Sequence, residues 1–591
     1  MVLLSLLMAC SSSVPMEEPT LDNARHATGS STIALASDGR LVVAEPDQGL
    51  ALLDPTGALL QALPAGSDGP PARVARVGER FVATYPDNRR LGVFELLNGE
   101  LREVQTIDVG VEPFGIVARE DGSYFYVACQ MSAEVLEFDG QTFEQRRAFP
   151  VKSQPRWLAL SPDGRDLWVG SVMDGRLSHI ELDSRYGHTV PLPTISAGTL
   201  GGQLEGRITG DMSFGPDGED LIVPVIYVDA DGDLFDIPVA YYGDIPGSSL
   251  ERFNPAVVHV DTTVNYHPTQ ALLIDSTPRS YPSSATFSPD GVTIAVPMPA
   301  SQRIHVVHRG QVRYGGMLEN SGGMRNWVPI DIAVAGPGAE HLLFDDFENA
   351  LVHETISRTV SSVEFGQIVP RVTVQATLFE VPTSDVEVGR ALFHSSIDPR
   401  VSNQDNAVSC STCHFDGRTD GLTWEVSGVR VQVPSLVMAS ETAPYTWFDD
   451  VDTIAEEAML TSTVRLAAPD PQDFEKIEAF VRTFNVPDTP KRGVETEASE
   501  RGKVIFNRAD VGCASCHSGE HYTDGLKHRM VVNEVATPTL IGISATAPYL
   551  HDGRKQTLRD VLDWAEEGRM GNTGHLSQRE LNDLEAFLMT L

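Results

Sequence analysis

Two short motifs in the chain repeat the same cysteines and histidine at the same spacing. They are Cys410-Ser411-Thr412-Cys413-His414 and Cys513-Ala514-Ser515-Cys516-His517. Two cysteines three positions apart on a helical turn can each form a thioether to one edge of a haem, and the following histidine then points a ring nitrogen at the iron. A single motif is also compatible with half of a zinc site. Two motifs predict two covalently bound c-type haems, with His414 and His517 as iron ligands.

The surroundings of the two motifs also match. Twenty residues separate His414 from Pro434-Ser435-Leu436, and twenty-one separate His517 from Pro538-Thr539-Leu540. Nine residues after each proline come Ala443-Pro444-Tyr445 and Ala547-Pro548-Tyr549. A zinc site would need more cysteines or histidines nearby, and none lies between His414 and Cys513. The pattern predicts a tandem duplication, with one haem domain at 384–488 and a second at 489–591.

Helices are predicted on both sides of the motifs. Ser384 and Glu387 form the capping-box pattern of a helix start, and Ser577 and Glu580 repeat it near the end of the chain. Apolar residues at helical spacing predict two further core-facing stripes: Phe474, Ile477, Val481 and Phe484, and then Leu581, Leu584, Leu588 and Leu591. These helices would bracket the two haem motifs, and their apolar stripes are interpreted as core.

Residues 31–365 repeat one plan of an apolar strand, a tight turn and a second apolar strand. Asp163-Gly164, Asp217-Gly218 and Asp290-Gly291 provide turn residues that tolerate positive φ. Seven units begin at Ile33, Val74, Gly115, Leu158, Met212, Ala285 and Ile330, the first four about 41 residues apart. This period is typical of a propeller blade, so the predicted fold is multidomain: an all-β seven-bladed propeller followed by two mainly α cytochrome c domains.

Both halves resemble known families. Residues 31–365 resemble the bacterial seven-bladed propellers of the lactonase-like and surface-layer type. Residues 384–591 resemble the bacterial di-haem cytochrome c peroxidase family, which includes the methylamine dehydrogenase maturation type. The second resemblance rests on GRALF (Gly389–Phe393), SCSTCH, PSL, GCASCH, TPTL and APYLHDGR (Ala547–Arg554). It implies that the first haem reacts with peroxide and that the second transfers electrons.

The same resemblance assigns roles between the two haems. Trp447 falls at the position of the family's inter-haem tryptophan, an aromatic relay, although an ordinary packed aromatic is an open alternative. Backbone oxygens near Thr546 and Pro548, with the side chain of Gln432, fall where the family holds a calcium ion. Glutamine stands there in place of the usual asparagine, so calcium is predicted only as a possible second cofactor.

The chain departs from the peroxidase pattern at the first haem. Peroxide cleavage needs an open sixth iron position and a nearby acid–base group. Met438 and Met459 are the candidates that could close that position. The family's glutamate position is occupied by Ala467, which leaves Glu457, with Glu456 beside it, as the nearest carboxylate in sequence. Glu457 is therefore the candidate acid–base group, with a solvated helix position as the alternative.

The second haem also departs from the pattern. Ala565, next to Trp564, occupies the family's methionine position, so the sixth ligand must come from another residue. Met570 and His575 are the nearest candidates. His551 is expected to organise this region without binding iron.

Composition and the amino terminus limit the partners and the location. The chain has 591 residues and a net charge of -38, which excludes nucleic acid and favours a basic electron-donor protein. The apolar run Met1–Ala9 before Cys10 resembles a lipoprotein signal peptide, with residues 1–30 as signal and linker. It lacks a preceding Lys or Arg, and a frayed apolar terminus is the alternative. The expected location is the cell envelope, on the periplasmic side or the outer membrane, with membrane contact only through lipid at Cys10.

These features predict a di-haem c-type oxidoreductase that passes electrons between a donor and peroxide or another small oxidant, with the propeller as a binding module. Two alternatives remain: a carrier without peroxidase activity, and an enzyme that oxidatively modifies a bound partner protein. No metal or quinone ligand cluster is evident in residues 31–365, so a catalytic propeller is the least favoured alternative.

Overall fold

The computed structural model describes residues 28–591, apart from 68, 153, 173, 185, 197–202, 229–252, 264–266, 275–279, 309–329, 335, 345–348, 366–370, 404–407, 427–428, 449–450, 530–533 and 566–569. Cys10 and the predicted signal segment lie outside the described residues. No helix among the described residues is both long enough and apolar enough to cross a membrane.

The first part of the chain forms seven antiparallel sheets, which are the blades of the predicted propeller. Six sheets have four strands each, and the fifth has six. In chain order the strands are blade 1 (Ile33–Leu35, Leu41–Glu45, Gly49–Leu53, Leu59–Pro64), blade 2 (Val74–Val77, Arg80–Tyr85, Arg90–Leu97, Glu100–Asp108), blade 3 (Pro113–Ala118, Tyr124–Cys129, Glu134–Asp139, Gln145–Pro150), blade 4 (Pro155–Leu160, Asp166–Ser171, Arg176–Glu181, Tyr186–Pro191), blade 5 (Ile195–Ser196, Gln203–Ile208, Ser213–Phe214, Asp220–Val228, Phe253–Asp261, His267–Leu273), blade 6 (Thr286–Phe287, Thr293–Met298, Arg303–His308, Ile330–Ala333) and blade 7 (Ala339–Phe344, Asn349–Glu354, Thr359–Glu364, Arg371–Thr377).

The Asp-Gly turns join two consecutive strands of a blade, as predicted. Gly164 has a φ of 68° and Gly218 a φ of 72°, in the left-handed region that glycine adopts without steric cost. In blade 4 the Asp163 Oδ1 accepts hydrogen bonds from the Ser161 hydroxyl (2.6 Å) and from the Arg165 N–H (3.1 Å). These bonds close the turn and set the register of the hairpin.

Seven apolar clusters hold the ring together, one between each pair of neighbouring blades. Cys129 is buried in the cluster between blades 2 and 3. The ring closes where Leu41 and Val43 of blade 1 pack against Leu351 and Val360 of blade 7. Each blade uses one continuous stretch of chain, so side-chain packing, without strand exchange, makes this seam.

Two details of the propeller prediction are wrong. The unit predicted from Ile330 spans two blades, because Ile330–Ala333 is the last strand of blade 6 and Ala339–Phe344 the first strand of blade 7. The last strand of blade 7, Arg371–Thr377, also lies beyond the predicted boundary at residue 365. Both errors arise because strand rhythm does not show which sheet a strand joins.

Helices and short turns form the remainder of the chain. The helices are α1 (Asp385–His394), α2 (Cys410–Cys413), α3 (Ile454–Leu460), α4 (Phe474–Val481), α5 (Glu497–Phe506), α6 (Leu558–Trp564) and α7 (Gln578–Leu588). Two hairpins pair Thr423–Val426 with Val429–Gln432, and Lys527–Arg529 with Glu534–Ala536. The predicted caps are confirmed, because the Ser384 and Ser577 side chains accept hydrogen bonds from the Glu387 and Glu580 N–H groups.

Two helix pairs repeat one packing arrangement. Helix α1 meets α4 at Gly389, where an added Cβ would lie 1.8 Å from the Lys476 carbonyl oxygen. Helix α5 meets α7 at Gly502, where an added Cβ would lie 1.9 Å from the Asp583 carbonyl oxygen. Any larger residue would separate either pair of helices. This repeated contact supports the duplication predicted from the sequence.

One face of the propeller, here called the docking face, packs against residues 385–488. Five ion pairs cross it: Asp47–Arg390, Arg89–Asp488, Glu112–Arg418, Arg156–Asp416 and Arg358–Glu387. Aromatic rings add to the contact, with Phe253 stacked on Trp424 at 5.2 Å between centroids and Phe415 edge-on to Trp157 at 6.1 Å. The first cysteine–histidine motif therefore lies against the propeller.

Candidate functional site

The first motif occupies the short helix α2 and the residue after it. The Ser409 side chain and Thr412 cap the helix, and the His414 N–H donates to the Cys410 carbonyl oxygen at 2.9 Å. Cys413 packs in an apolar cluster with Leu422, Trp424 and Leu466, to which blade 5 contributes Ile226, Val228 and Phe253. One wall of the first site is therefore made by the propeller.

Burial sets the protonation of this motif. It is the main cause that lowers the pKa of His414 to about 4, and the nearby positive charge of Arg465 lowers it further. The imidazole is then neutral at pH 7 and keeps a lone pair for a metal. Burial also raises the pKa of Cys410 to about 11, so its sulfur is a neutral thiol. A neutral histidine beside reduced thiols suits thioether attachment of a haem.

The second motif lines a cavity of about 490 Å³. Cys513–Ser515 form a single turn of 3₁₀ helix, and Cys513, Cys516 and His517 all reach the cavity. The other walls include the aromatic ring of Phe506 and the apolar side chains of Leu562 and Leu588. Ligand pockets commonly have volumes of about 300–1,000 Å³ and largely apolar walls, so the residues present fit a haem.

The orientation of His517 suits a metal ligand. Its Nδ1 lies 3.1 Å from the Tyr522 carbonyl oxygen, which can only accept a hydrogen bond. The ring therefore carries its proton on Nδ1, and Nε2 keeps its lone pair. Metal-binding histidines are commonly held by such a bond from the second ring nitrogen. Burial lowers the pKa of His517, which favours the same neutral form.

The segment between Gln432 and Trp447 connects the two motifs. At one end the Leu436 N–H donates to the Gly417 carbonyl oxygen at 2.9 Å, three residues after His414. At the other end the Trp447 Nε1 donates to the Gln432 carbonyl oxygen at 2.8 Å, and Trp447 lines the second cavity. The structure thus places Trp447 beside the second motif, on a segment that also contacts the first.

The residues predicted to hold calcium lie together. The Gln432 Nε2 donates to the Thr546 carbonyl oxygen at 3.0 Å, and Pro548 follows two residues later in the wall of the second cavity. This hydrogen bond puts the amide nitrogen of Gln432, and not its oxygen, toward Thr546. Calcium binding would require the amide to turn, because only oxygen atoms bind this ion. The calcium site remains a prediction.

The two candidates for the sixth ligand of the second iron have different surroundings. Met570 lines the second cavity beside Ala565. His575 is not among the described residues that line it, and its Nε2 lies 2.9 Å from the Asp510 carboxylate at the surface. The position of His575 in an ion pair favours Met570 of the two. At the first motif, Met459 is 41% exposed and Met438 is partly buried.

The predicted acid–base residue Glu457 is held by a cation. Its Oε1 lies 3.1 Å from the Arg465 guanidinium and accepts a hydrogen bond from the Thr461 hydroxyl at 3.1 Å. Arg465 acts electrostatically on His414 and Cys413, so the pair stands close to the first motif. Ala467 is exposed with a φ of 48° and brings no acid–base group. Sequence analysis missed Arg465, because it lies in an irregular π-helical turn (Thr461–Arg465) without a motif.

A second group missed by sequence analysis lies beside the second motif. The His528 Nε2 is 2.6 Å from the Asp524 Oδ2, and ligand atoms of Cys516, Asp524 and His528 lie within 4.8 Å of one another. The sequence pattern Asp-x-x-x-His could have indicated that Asp524 and His528 lie together. Cys516 belongs to the cysteine–histidine motif, so a metal at this group would compete with haem for its sulfur.

No known family model matches the chain. Hydrazine synthase subunit gamma of Kuenenia stuttgartiensis is 25% identical, and the match covers 31% of this chain and 72% of that protein. Methylamine utilization protein MauG of Methylorubrum extorquens is 27% identical over 35% of this chain and 77% of that protein. Residues 384–591 make up a similar share of the chain.

Two solved structures are also similar to the chain. A Kuenenia stuttgartiensis hydrazine synthase chain has a TM-score of 0.47 and 16% identity, covering 61% of this chain and 99% of that one. The Swd1 β-propeller domain from Myceliophteria thermophila has a TM-score of 0.36 and 10% identity, covering 54% and 89%. The sequence relatives and the seven observed blades confirm the predicted resemblance, a propeller joined to a di-haem cytochrome c peroxidase-type region.

Proposed function

We propose, from the resemblance to di-haem cytochrome c peroxidase-type proteins, that this chain is a di-haem c-type oxidoreductase of the cell envelope. It passes electrons between a donor protein and peroxide or another small oxidant. The observation that carries the proposal is the pair of cysteine–histidine motifs joined by the Gln432–Trp447 segment, with the second motif in a cavity of about 490 Å³. The relatives, hydrazine synthase subunit gamma and MauG, support a haem oxidoreductase.

Each motif would hold one haem through its two cysteine sulfurs and its histidine. Haem iron supplies one-electron redox chemistry when it is bound at these positions. The Tyr522 carbonyl oxygen fixes the orientation of His517. Met570 is the proposed sixth ligand at the second site. Trp447, which lines the second cavity and is oriented by its hydrogen bond to the Gln432 carbonyl oxygen, is the proposed relay between the two sites.

In this proposal, Glu457 handles protons at the first site. Its ion pair with Arg465 holds the carboxylate in place. To move a proton through its Oε1, Glu457 must give up contacts with Arg465 and the Thr461 hydroxyl. This favours the carrier without peroxidase activity as the second candidate function. Similarity to MauG favours oxidative modification of a bound protein as the third.

The propeller is proposed as a binding module for partners. The name of one relative identifies it as a subunit of a larger enzyme, which supports a protein partner here. Attachment to the envelope through lipid at Cys10 completes the proposal.

The test is to reduce the purified holoprotein, add stoichiometric hydrogen peroxide and follow the visible haem spectrum. Peroxide takes up two electrons and two protons to form two waters, so the reduced bands should disappear at one peroxide per two electrons. An unchanged spectrum would contradict peroxidase chemistry and leave the electron carrier as the function.

Substitution of Glu457 tests its role in the same assay. We expect Glu457→Gln to slow the loss of the reduced bands by about 100-fold, because general acid–base catalysis is worth roughly 10²–10⁴-fold. The exposed neighbour Glu456 provides the matched control, and Glu456→Gln should react at the wild-type rate. Equal rates for both variants would remove Glu457 from the mechanism.

A further inference from the structure

A cavity of about 680 Å³ opens on the face of the propeller opposite the docking face. Its rim consists of turns between the first and second strands of a blade, such as Asp121 and Asp163. The contacts of the docking face instead come from residues at the other ends of these strands, such as Asp47, Glu112 and Arg156. The haem region therefore leaves this cavity uncovered.

Buried charged residues from three blades meet at the inner end of the cavity. Arg73 precedes blade 2, Asp211 precedes the third strand of blade 5, and Glu340 and His341 begin blade 7. The Arg73 guanidinium lies 2.9 Å from both the Asp211 and the Glu340 carboxylates. The His341 Nε2 lies 2.8 Å from the Asp211 Oδ2. Asp211 and His341 both line the cavity.

Two hydrogen-bond acceptors in this cluster are not used within the described part of the chain. Asp211 is 2% exposed, and its Oδ1 has no hydrogen-bond partner among the described residues. Burial lowers the pKa of His341, so its ring is neutral and donates to Asp211 through Nε2. The His341 Nδ1 is then a second acceptor, also without a partner among those residues. Buried acceptors of this kind are costly unless a donor reaches them.

The net charge of the cavity is negative at its inner end and also along the rest of its lining. At the inner end, two carboxylates, Asp211 and Glu340, face the single guanidinium of Arg73. Arg156, the next cation, is paired with Asp416 across the docking face. Along the rest of the lining, the three carboxylates of Glu120, Asp121 and Asp163 have one cation beside them in the lining, Arg119, and Asp163 is also 3.8 Å from Arg165 outside it. A net negative cavity with free acceptors favours a cationic hydrogen-bond donor.

We propose that this cavity binds a small organic cation, an alkylammonium compound whose ammonium group lies against the Asp211 carboxylate and donates a hydrogen bond to its Oδ1. The volume fits a ligand of several heavy atoms, within the usual range of about 300–1,000 Å³. A metal ion is disfavoured, because no three metal-ligand atoms of the described residues around this cavity lie within 4.8 Å of one another. The proposal does not depend on the haem chemistry proposed above.

The test measures binding of 1,4-diaminobutane to the holoprotein by isothermal titration calorimetry in 150 mM salt. The neutral isostere 1,4-butanediol is the matched ligand control. We expect one site for the diamine and none for the diol. Asp211→Asn should weaken diamine binding at least tenfold, and Glu497→Gln, which removes a charge at a 99% exposed position, should not change it.

A second variant keeps the test decisive if Asp211→Asn fails to fold. Thr286 lines the cavity and is only partly buried, so Thr286→Lys places a fixed cation inside it and should abolish diamine binding. The haem spectrum should be unchanged in both variants. Equal binding of diamine and diol, or wild-type binding by Thr286→Lys, would overturn the proposal and leave the cavity filled with water only.

Discussion

Met570 and His575 differ in what surrounds their ligand atoms. Met570 lines the cavity of the second motif, whereas the His575 Nε2 is 2.9 Å from Asp510 at the surface. A methionine ligand opposite histidine raises the reduction potential of a haem. We therefore expect Met570→Ala to lower one of the two midpoint potentials by on the order of 0.1 V in a spectroelectrochemical titration. His575→Ala is the matched control and should leave both potentials unchanged; the opposite pattern would assign the ligand to His575.

Asp420, which lies near the first motif, makes the free energy of unfolding depend on pH. Burial raises its pKa from 3.8 to about 6, against hydrogen bonds from the Leu422 N–H and the Trp424 Nε1. The folded chain therefore holds this proton between about pH 4 and 6, where the unfolded chain has lost it. The contribution of Asp420 to the free energy of unfolding should fall by about 3 kcal/mol as the pH rises through that window.

Urea unfolding of wild type and Asp420→Asn at several pH values measures this effect. The asparagine cannot titrate, so the stability difference, wild type minus variant, should fall by about 3 kcal/mol from pH 4 to pH 7. The exposed Glu497→Gln variant should show a constant difference. A constant difference for Asp420→Asn as well would mean that the carboxyl titrates normally in the folded state.

At the scale of single residues, the sequence predicted the functional groups that belong to recognisable motifs. The two cysteine–histidine motifs could be placed because they belong to a repeated pattern, and Gln432 and Thr546 were expected to lie together because of the family resemblance. The pairing of Glu457 with Arg465 could not be predicted from the sequence, since it depends on a π-helical turn that brings the arginine back toward the helix. The buried cluster around Asp211 was also missed, because residues from three blades meet there only after folding.

At the scale of elements, helix α1 spans the seam between blades 1 and 7. Arg390 pairs with Asp47 of blade 1 and donates to the Thr355 carbonyl oxygen of blade 7 at 3.0 Å. Glu387, one turn earlier, pairs with Arg358 of blade 7 at 2.5 Å. The helix thus links two blades that share no strand within the described part of the chain.

Removal of the Arg390 side chain should weaken the whole ring. The side chain is 9% exposed and Asp47 is 42% exposed, so we expect Arg390→Ala to cost about 1–3 kcal/mol in urea unfolding. Arg482→Ala, which removes a half-exposed side chain paired with Glu478 at the C-terminal end of α4, is the control and should cost about 0.5 kcal/mol or less. Equal costs for the two variants would show that α1 does not hold the seam.

The elements themselves were largely predictable. Helix caps at Ser384 and Ser577 and the Asp-Gly hairpins have local causes, because turn and cap residues act within four positions. The strand at Ile330–Ala333 was assigned to the wrong blade since its partner strand is set by the register of blade 6. The sequence near Ile330 contains no signal for that choice.

At the scale of the whole molecule, the net charge influences how fast the protein associates with its partners. The net charge of -38 gives a negative field that attracts basic partners and repels acidic ones. We expect the rate of reduction by a small basic cytochrome to fall about tenfold between 50 and 500 mM salt in stopped-flow measurements, because salt screens this attraction. An uncharged reductant should show no salt dependence; a similar fall for both would exclude electrostatic docking.

The pairing between the propeller and the haem region was beyond prediction. Its ion pairs join residues as far apart in sequence as Arg156 and Asp416, and single charged residues at the surface carry no sign of their partner. The sequence indicated two separate modules, whereas the structure makes the propeller one wall of the first site.

The segment Thr28–Ser30 determines when the ring can be completed during synthesis. The Leu160 N–H donates to the Thr28 carbonyl oxygen at 2.7 Å, and the Ser30 N–H donates to the Leu158 carbonyl oxygen at 3.0 Å, 128 residues later in the chain. These contacts therefore cannot form until blade 4 has been translated. Blades 1 and 7 wait longer still, because helix α1 follows the last strand. The order of translation thus makes closure of the ring a late step. A chain halted before residue 385 would lack the contacts that α1 makes across the seam between blades 1 and 7.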